Sequence, residues 1–225
     1  MCKFKALKNA LAVFIAVVFV MGFARATTYS QKVDGGYRLT TPIGDIAFEV
    51  VGQVSNPSAT TSQQYGYLSL VNGLNADQIF NSANPTMQNE TTARFTFFTD
   101  AVTERVISNG RLRIVNRTGT TTVYYDDTPD GTFADRNSFA DGIPVLTLDY
   151  RQQVILDTSE GTFTVVNLLK VVSSESFMVD GVRLRLGKAR DHFRQFYSGA
   201  PPTGTPAVNG VFAGYAVAIE PAEPN

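Results

Sequence analysis

Two runs in the middle of the chain, Val145–Asp157 and Thr162–Val172, constrain its fold more than any other stretch. Both are rich in β-branched and aliphatic residues and neither contains Pro or Gly, the composition of extended strands. Thr158-Ser159-Glu160-Gly161 joins them, with Gly free to take φ > 0 where the chain turns back. Placing Asp157 opposite Thr162 sets the register of an antiparallel hairpin: Leu156 faces Phe163, Val154 faces Val165, Gln152 faces Asn167, Tyr150 faces Leu169 and Leu148 faces Val171. Side chains alternate along a strand, so all of these lie on one face, the candidate core. On the other face Asp149 opposes Lys170, a cross-strand pair worth ~0.2–1 kcal/mol.

The first residues read differently. Lys3, Lys5 and Lys8, an apolar run from Leu11 to Phe23, and Ala24-Arg25-Ala26 have the three-part pattern of a secretory signal. The expected division is therefore a signal peptide at 1–26 and one antiparallel β domain at 27–225, secreted or periplasmic. The apolar run is shorter than the ~20 residues of a spanning helix, and Cys2 lies ahead of it rather than at the cleavage point. Neither a membrane span nor lipid attachment is expected, and a chain beginning at Thr27 has no cysteine. Such a chain must rest on its hydrophobic core, and about 200 residues suffice to bury one. Of 19 basic residues, removing Lys3, Lys5, Lys8 and Arg25 leaves 15 against 20 acidic ones, a net charge of −5. That balance gives no broad basic surface for nucleic acid or anionic lipid.

Other strand signals flank the hairpin. Tyr37–Thr40 and Asp45–Val51 alternate, a polar loop is expected over Gly52–Gln63, and Gln64–Val71 follows as a strand. Asn72–Thr91 reads as loop with a short helix near Leu74–Ile79. Thr92–Thr99, Thr103–Ser108, Arg111–Asn116 and Thr121–Asp126 then form a four-stranded meander, with Asn109-Gly110 as a two-residue type I′ turn and a turn at Arg117–Thr120. A hairpin at Ser176–Leu186 turns on Asp180-Gly181, setting Phe177 opposite Leu184. Gly187–Tyr197 fits a helical turn or a short strand, Ser198–Pro206 is a connector, and Val208–Ile219 is the last strand. About ten strands without βαβ rhythm predict an all-β fold, an antiparallel β-sandwich or closed β-barrel. Ile155, Val166, Leu168 and Val172 make the hairpin's second face partly apolar, which favours a sandwich layer, a packed helix or a subunit contact in a homo-oligomer.

Candidate chemistry is sparse. Asp126, Thr128, Asp130 and Gly131 resemble the start of an EF-hand loop, but Asn137 stands where the bidentate Glu belongs, so no metal site is assigned and the Asp126–Asp141 loop is expected to be mobile. His192 is the single histidine. Neighbouring Asp191 would point to the opposite face of a strand, Ser173, Ser174 and Ser176 sit in no nucleophile elbow, and zinc would lack ligands, so no catalytic residue is assigned. Asn89-Glu90-Thr91 and Asn116-Arg117-Thr118 match a glycosylation pattern relevant only in a eukaryotic secretory route. Arg183, Arg185, Lys188, Arg190 and Arg194 form a basic concentration that reads as a solvated face. Tyr65, Tyr67, Tyr124 and Tyr125 read as core.

The remaining candidates are Gln152 and Asn167, two amides in an otherwise apolar row beside Tyr150. Either the two amides hydrogen-bond across the strands, which is the preferred reading, or they are the polar contacts of an interior ligand site. The functional expectation is a protein that binds or carries a small apolar or amphipathic ligand through Gln152, Asn167 and Tyr150, without a cofactor, with an interaction domain as the alternative and a carboxylate-based enzyme behind it.

Overall fold

The computed structural model describes residues 30–33, 35–203 and 209–221; the expected signal peptide lies outside them. The described residues form twelve strands: β1 (Ser30–Val33), β2 (Gly36–Leu39), β3 (Ile46–Ser55), β4 (Thr61–Val71), β5 (Phe95–Asn109), β6 (Leu112–Tyr125), β7 (Ile143–Asp157), β8 (Phe163–Ser174), β9 (Ser176–Val179), β10 (Val182–Leu186), β11 (His192–Ala200) and β12 (Gly210–Ile219). Eight of them close a barrel in the order β11-β12-β3-β4-β5-β6-β7-β8, and β1-β2-β10-β9 make a separate small sheet. All barrel neighbours are antiparallel; within the small sheet β10 and β2 run parallel.

The expected hairpin is the centre of the barrel wall, and its register is the one read from the turn: Leu156↔Phe163, Val154↔Val165, Gln152↔Asn167, Tyr150↔Leu169, Leu148↔Val171 and Asp149↔Lys170. Closure settles the architecture as a barrel, so the second face of the hairpin is the outer wall and not a sandwich layer. Ile155, Leu168 and Val172 on that wall are exposed, and no described element covers them. Leu168 stands between the exposed Arg151 and Arg194 on the neighbouring strands, and Asp149 and Lys170 are exposed on the same wall.

Several expected boundaries move because barrel strands run longer than local turn signals suggest. The Gly52–Gln63 loop shrinks to residues 56–60, since Gly52 pairs with both Gly66 and Phe212 inside the wall. The four-stranded meander is two long strands, β5 and β6. The expected turn at Arg117–Thr120 is continuous β6; a Cβ at Gly119 would overlap the carbonyl oxygen of Asp100, so glycine is there for close strand approach. At the tip of this pair Asn109 faces Leu112, which centres the turn on Gly110-Arg111, with φ +58° at Gly110, rather than on Asn109-Gly110. Glycine as the first central residue suits a type II′ turn, and the shift brings Arg111 Nε to 3.2 Å from Asp157. Gly187–Tyr197 resolves as turn followed by β11, which runs on to Ala200. The Asp180-Gly181 hairpin is as expected, both residues at positive φ and Phe177 opposite Leu184.

The two ends of the barrel differ. At one end the small sheet forms a lid, with Leu39, Phe177, Val179, Leu184 and Leu186 buried in the common core. Phe177 sits with its ring 5.6 Å from Phe95 and 5.1 Å from Tyr125. The middle is filled, with a void of only about 20 Å³ among Leu148, Leu169, Phe97 and their neighbours, as an eight-stranded barrel's narrow bore leads one to expect. The Asp126–Asp141 loop is packed rather than mobile: a short 3₁₀ turn, Arg136–Phe139, buries Phe139 completely against Tyr65 on the outer face of β4. Its aromatic side chains secure it, a role the loop's acidic composition concealed.

Candidate functional site

At the end opposite the small sheet the barrel opens into a cavity of about 430 Å³. Val54, Val115, Val154, Leu156, Phe163 and Val165, inward-facing residues of β3, β6, β7 and β8, line its apolar wall. Polar side chains make its floor: Gln64 from β4, Arg117 from β6, Gln152 from β7 and Tyr197 from β11. Strand alternation puts them there, since Val115, Arg117, Gly119, Thr121 and Val123 form one row of β6.

The floor is one hydrogen-bonded network. Gln64 Oε1 accepts from the hydroxyls of Tyr150 at 2.9 Å and Tyr197 at 2.8 Å. Gln152 Nε2 donates to Tyr197 Oη at 2.6 Å, while Gln152 Oε1 accepts from Arg117 Nη1 at 2.9 Å. Arg117 also reaches Thr103 Oγ1 and Asn56 Oδ1, each at 3.4 Å. Burial holds both phenols protonated, pushing Tyr197 up to about 12 against the pull of its hydrogen bonds and Arg117, and Tyr150 well above the ordinary value. Burial also lowers the pKa of Arg117, yet a guanidinium stays charged in proteins, so the floor carries one fixed positive charge.

The three expected site residues part company. Gln152 lies on the cavity floor. Tyr150 is buried beneath it and touches the site through Gln64. Asn167 is fully buried and donates to Gln195 Oε1 at 2.6 Å, away from the cavity. Gln152 and Asn167 face each other in register but turn to different partners, so the preferred cross-strand amide pair is not made. Each bonds instead to the residue opposite it on its other neighbouring strand, Gln152 to Arg117 on β6 and Asn167 to Gln195 on β11. Arg117, Gln64 and Tyr197 escaped the sequence reading: Arg117 lay in an assumed turn, Gln64 opened an assumed strand, and Tyr197 ended an undecided segment. The one available signal was the period-2 row through Arg117.

Other candidates resolve as structural. A second cavity of about 260 Å³ under the small sheet is lined by Leu39, Phe48 and Phe193, with Asp191 and His192 at its edge. His192 Nδ1 is 2.8 Å from the carbonyl of Arg190, and Asp191 accepts from the Lys188 amide at 2.9 Å. Ser174 Oγ donates to the Leu186 carbonyl at 2.7 Å. Arg183 and Arg185 gather with Arg38 on the small sheet, whereas Arg194 points out from the barrel wall. Tyr65 and Tyr67 are buried, as expected of core. Carboxylate oxygens of Asp126, Asp130 and Asp141 lie within 4.8 Å of one another, two of the three residues exposed. Compared with known proteins, the chain matches no family model, no curated protein and no solved structure.

Proposed function

We propose that the protein is an exported binding or carrier protein that takes a small amphipathic ligand into the open mouth of its barrel. The observation that carries this reading is the cavity itself: about 430 Å³, walled by aliphatic and aromatic side chains, with a few convergent polar groups at its base. Ligand sites typically enclose about 300–1,000 Å³ and have this division between apolar wall and oriented polar contacts. The network beneath Gln152 holds those contacts in place before anything binds, which lowers the ordering cost of association. No Asp or Glu lines the cavity among the described residues, which disfavours the carboxylate-enzyme reading. The exposed charges Asp149, Arg151, Lys170 and Arg194 stand in mid-strand on the outer wall, where a lipid-facing barrel would hold apolar side chains, and no described helix is long and apolar enough to cross a membrane. The charges on the outer wall favour a water-exposed protein.

Titration with the neutral fluorescent probe N-phenylnaphthylamine tests the reading. Saturable binding is expected, and Val115→Trp, which fills the wall from one side, should abolish it while the protein still unfolds cooperatively. Absence of saturable binding by the wild-type protein, or binding unaffected by Val115→Trp, removes the proposal.

A further inference from the structure

We propose that the ligand of this cavity is an anionic amphiphile, a molecule with an apolar tail and a carboxylate-like head, and that Arg117 is the residue that receives the head. The inference rests on the binding reading above and adds the chemical class of the ligand.

Arg117 enters the interior in a row of β6 whose members below the rim, Val115, Gly119, Thr121 and Val123, are uncharged, while Arg113 of the same row lies at the exposed rim. Among the described residues, ion pairs join Arg94 to Asp180 and Arg111 to Asp157, and Arg117 has no carboxylate partner. Its acceptors are three neutral oxygens, on Gln152, Thr103 and Asn56, two of them at the long distance of 3.4 Å. A guanidinium has five N–H donors in a fixed fork, so donors remain for a further acceptor on the cavity side. Withdrawing a cation from water without a counter-ion is costly, and no acidic side chain among the described residues forms an ion pair with this one. Arg113, at the exposed rim, is the other charged residue of the cavity and has the same sign. The mouth is thus a positive spot on an acidic protein, with an apolar wall that leads down to it. An anionic head on Arg117 supplies the missing charge, and an aliphatic tail lies along Val54, Val115, Val154, Leu156, Phe163 and Val165. Tyr197 and Tyr150 stay protonated and do not oppose the anion. Arginine fits the role better than lysine because its planar fork matches a carboxylate with two parallel hydrogen bonds.

Isothermal titration of the protein with decanoate and with decanol, equal in tail and different in charge, separates this inference from the reading beneath it. Decanoate is expected to bind about tenfold or more tightly than decanol. Arg117→Gln should erase that advantage by weakening decanoate alone, Arg117→Lys should keep part of it, and Arg113→Gln at the rim should leave it in place. Equal binding of the two probes by the wild-type protein overturns the anionic-head inference and leaves the cavity reading standing; binding of neither overturns both. An advantage that survives Arg117→Gln, or disappears with Arg113→Gln instead, overturns the assignment to Arg117. Should Arg117→Gln not fold, nuclear magnetic resonance of decanoate labelled at its carboxyl carbon reads the same contact in the wild-type protein. A bound-state pKa below that of free decanoate supports the contact with Arg117, and an unchanged or raised value overturns it.

Discussion

Asn167 donates to Gln195 Oε1, and its side-chain oxygen is buried without a partner. Asn167→Leu alone strands Gln195 Oε1 in the barrel and should cost about 1–3 kcal/mol. The double change Asn167→Leu with Gln195→Leu removes both polar groups and should recover most of that loss, as urea unfolding of the three variants would show; additive losses would mean that the pair does not act as a unit. Gln152 differs because it ties Tyr197 to Arg117, and Gln152→Leu should weaken ligand binding as well as the fold. Gly119 is constrained by the backbone itself, since a Cβ meets the carbonyl of Asp100. Gly119→Ala should destabilise by about 1–3 kcal/mol, measured in the same way, through overpacking between β5 and β6.

Among elements, the hairpin of β7 and β8 and the loop before it present opposite cases. The hairpin was legible because two Gly- and Pro-free runs and a four-residue turn leave one register, and that register carries the core row from Leu148 to Leu156. Residues 126–142 were not legible, because their composition signals turns while the decisive contact is between Phe139 and aromatic side chains of a distant strand. Phe139→Ala removes a fully buried ring and should cost about 3–5 kcal/mol, much of it expressed locally as release of the loop from β4. Limited proteolysis provides the check: cleavage between Asp126 and Asp141 should become fast in the variant and remain slow in the wild type.

For the whole molecule, charge sets how stability varies with pH. Burial and the charges of Asp130 and Asp126 raise the pKa of Asp141 above that of an ordinary aspartate. The folded protein therefore binds this proton more tightly than the unfolded chain does. The group's contribution to stability declines as pH rises from the ordinary value of ~3.9 through the folded-state value, and the ionised carboxylate works against the fold near neutrality. Asp141→Asn should raise the Tm near pH 7 and lose that advantage near pH 3, where both states are protonated. A gain independent of pH would point to something other than charge. Export is tested by intact mass: the product should begin at or near Thr27, and a secreted protein that keeps residues 1–26 would contradict the leader assignment.

Local rules carry the parts of this protein that neighbours in sequence decide. Alternation of apolar residues with a tight turn specifies strands, the hairpin register and the all-β class, because each depends on residues a few positions apart. Barrel closure, the length of β5 and β6, and the site are of another kind. They depend on β12 meeting β3 and on strands β4, β6, β7 and β11 converging at one mouth, contacts between residues as far apart as Gln64 and Tyr197. Arg117 shows the difference most clearly. In sequence it sits between Asn116 and Thr118, two residues before Gly119, and reads as a turn; in the closed barrel the same glycine is what lets the strand continue, and the arginine becomes the charged floor of a cavity. Turn propensity is a local energy of a few tenths to about 1 kcal/mol, and a closed ladder of hydrogen bonds on both sides of a strand outweighs it.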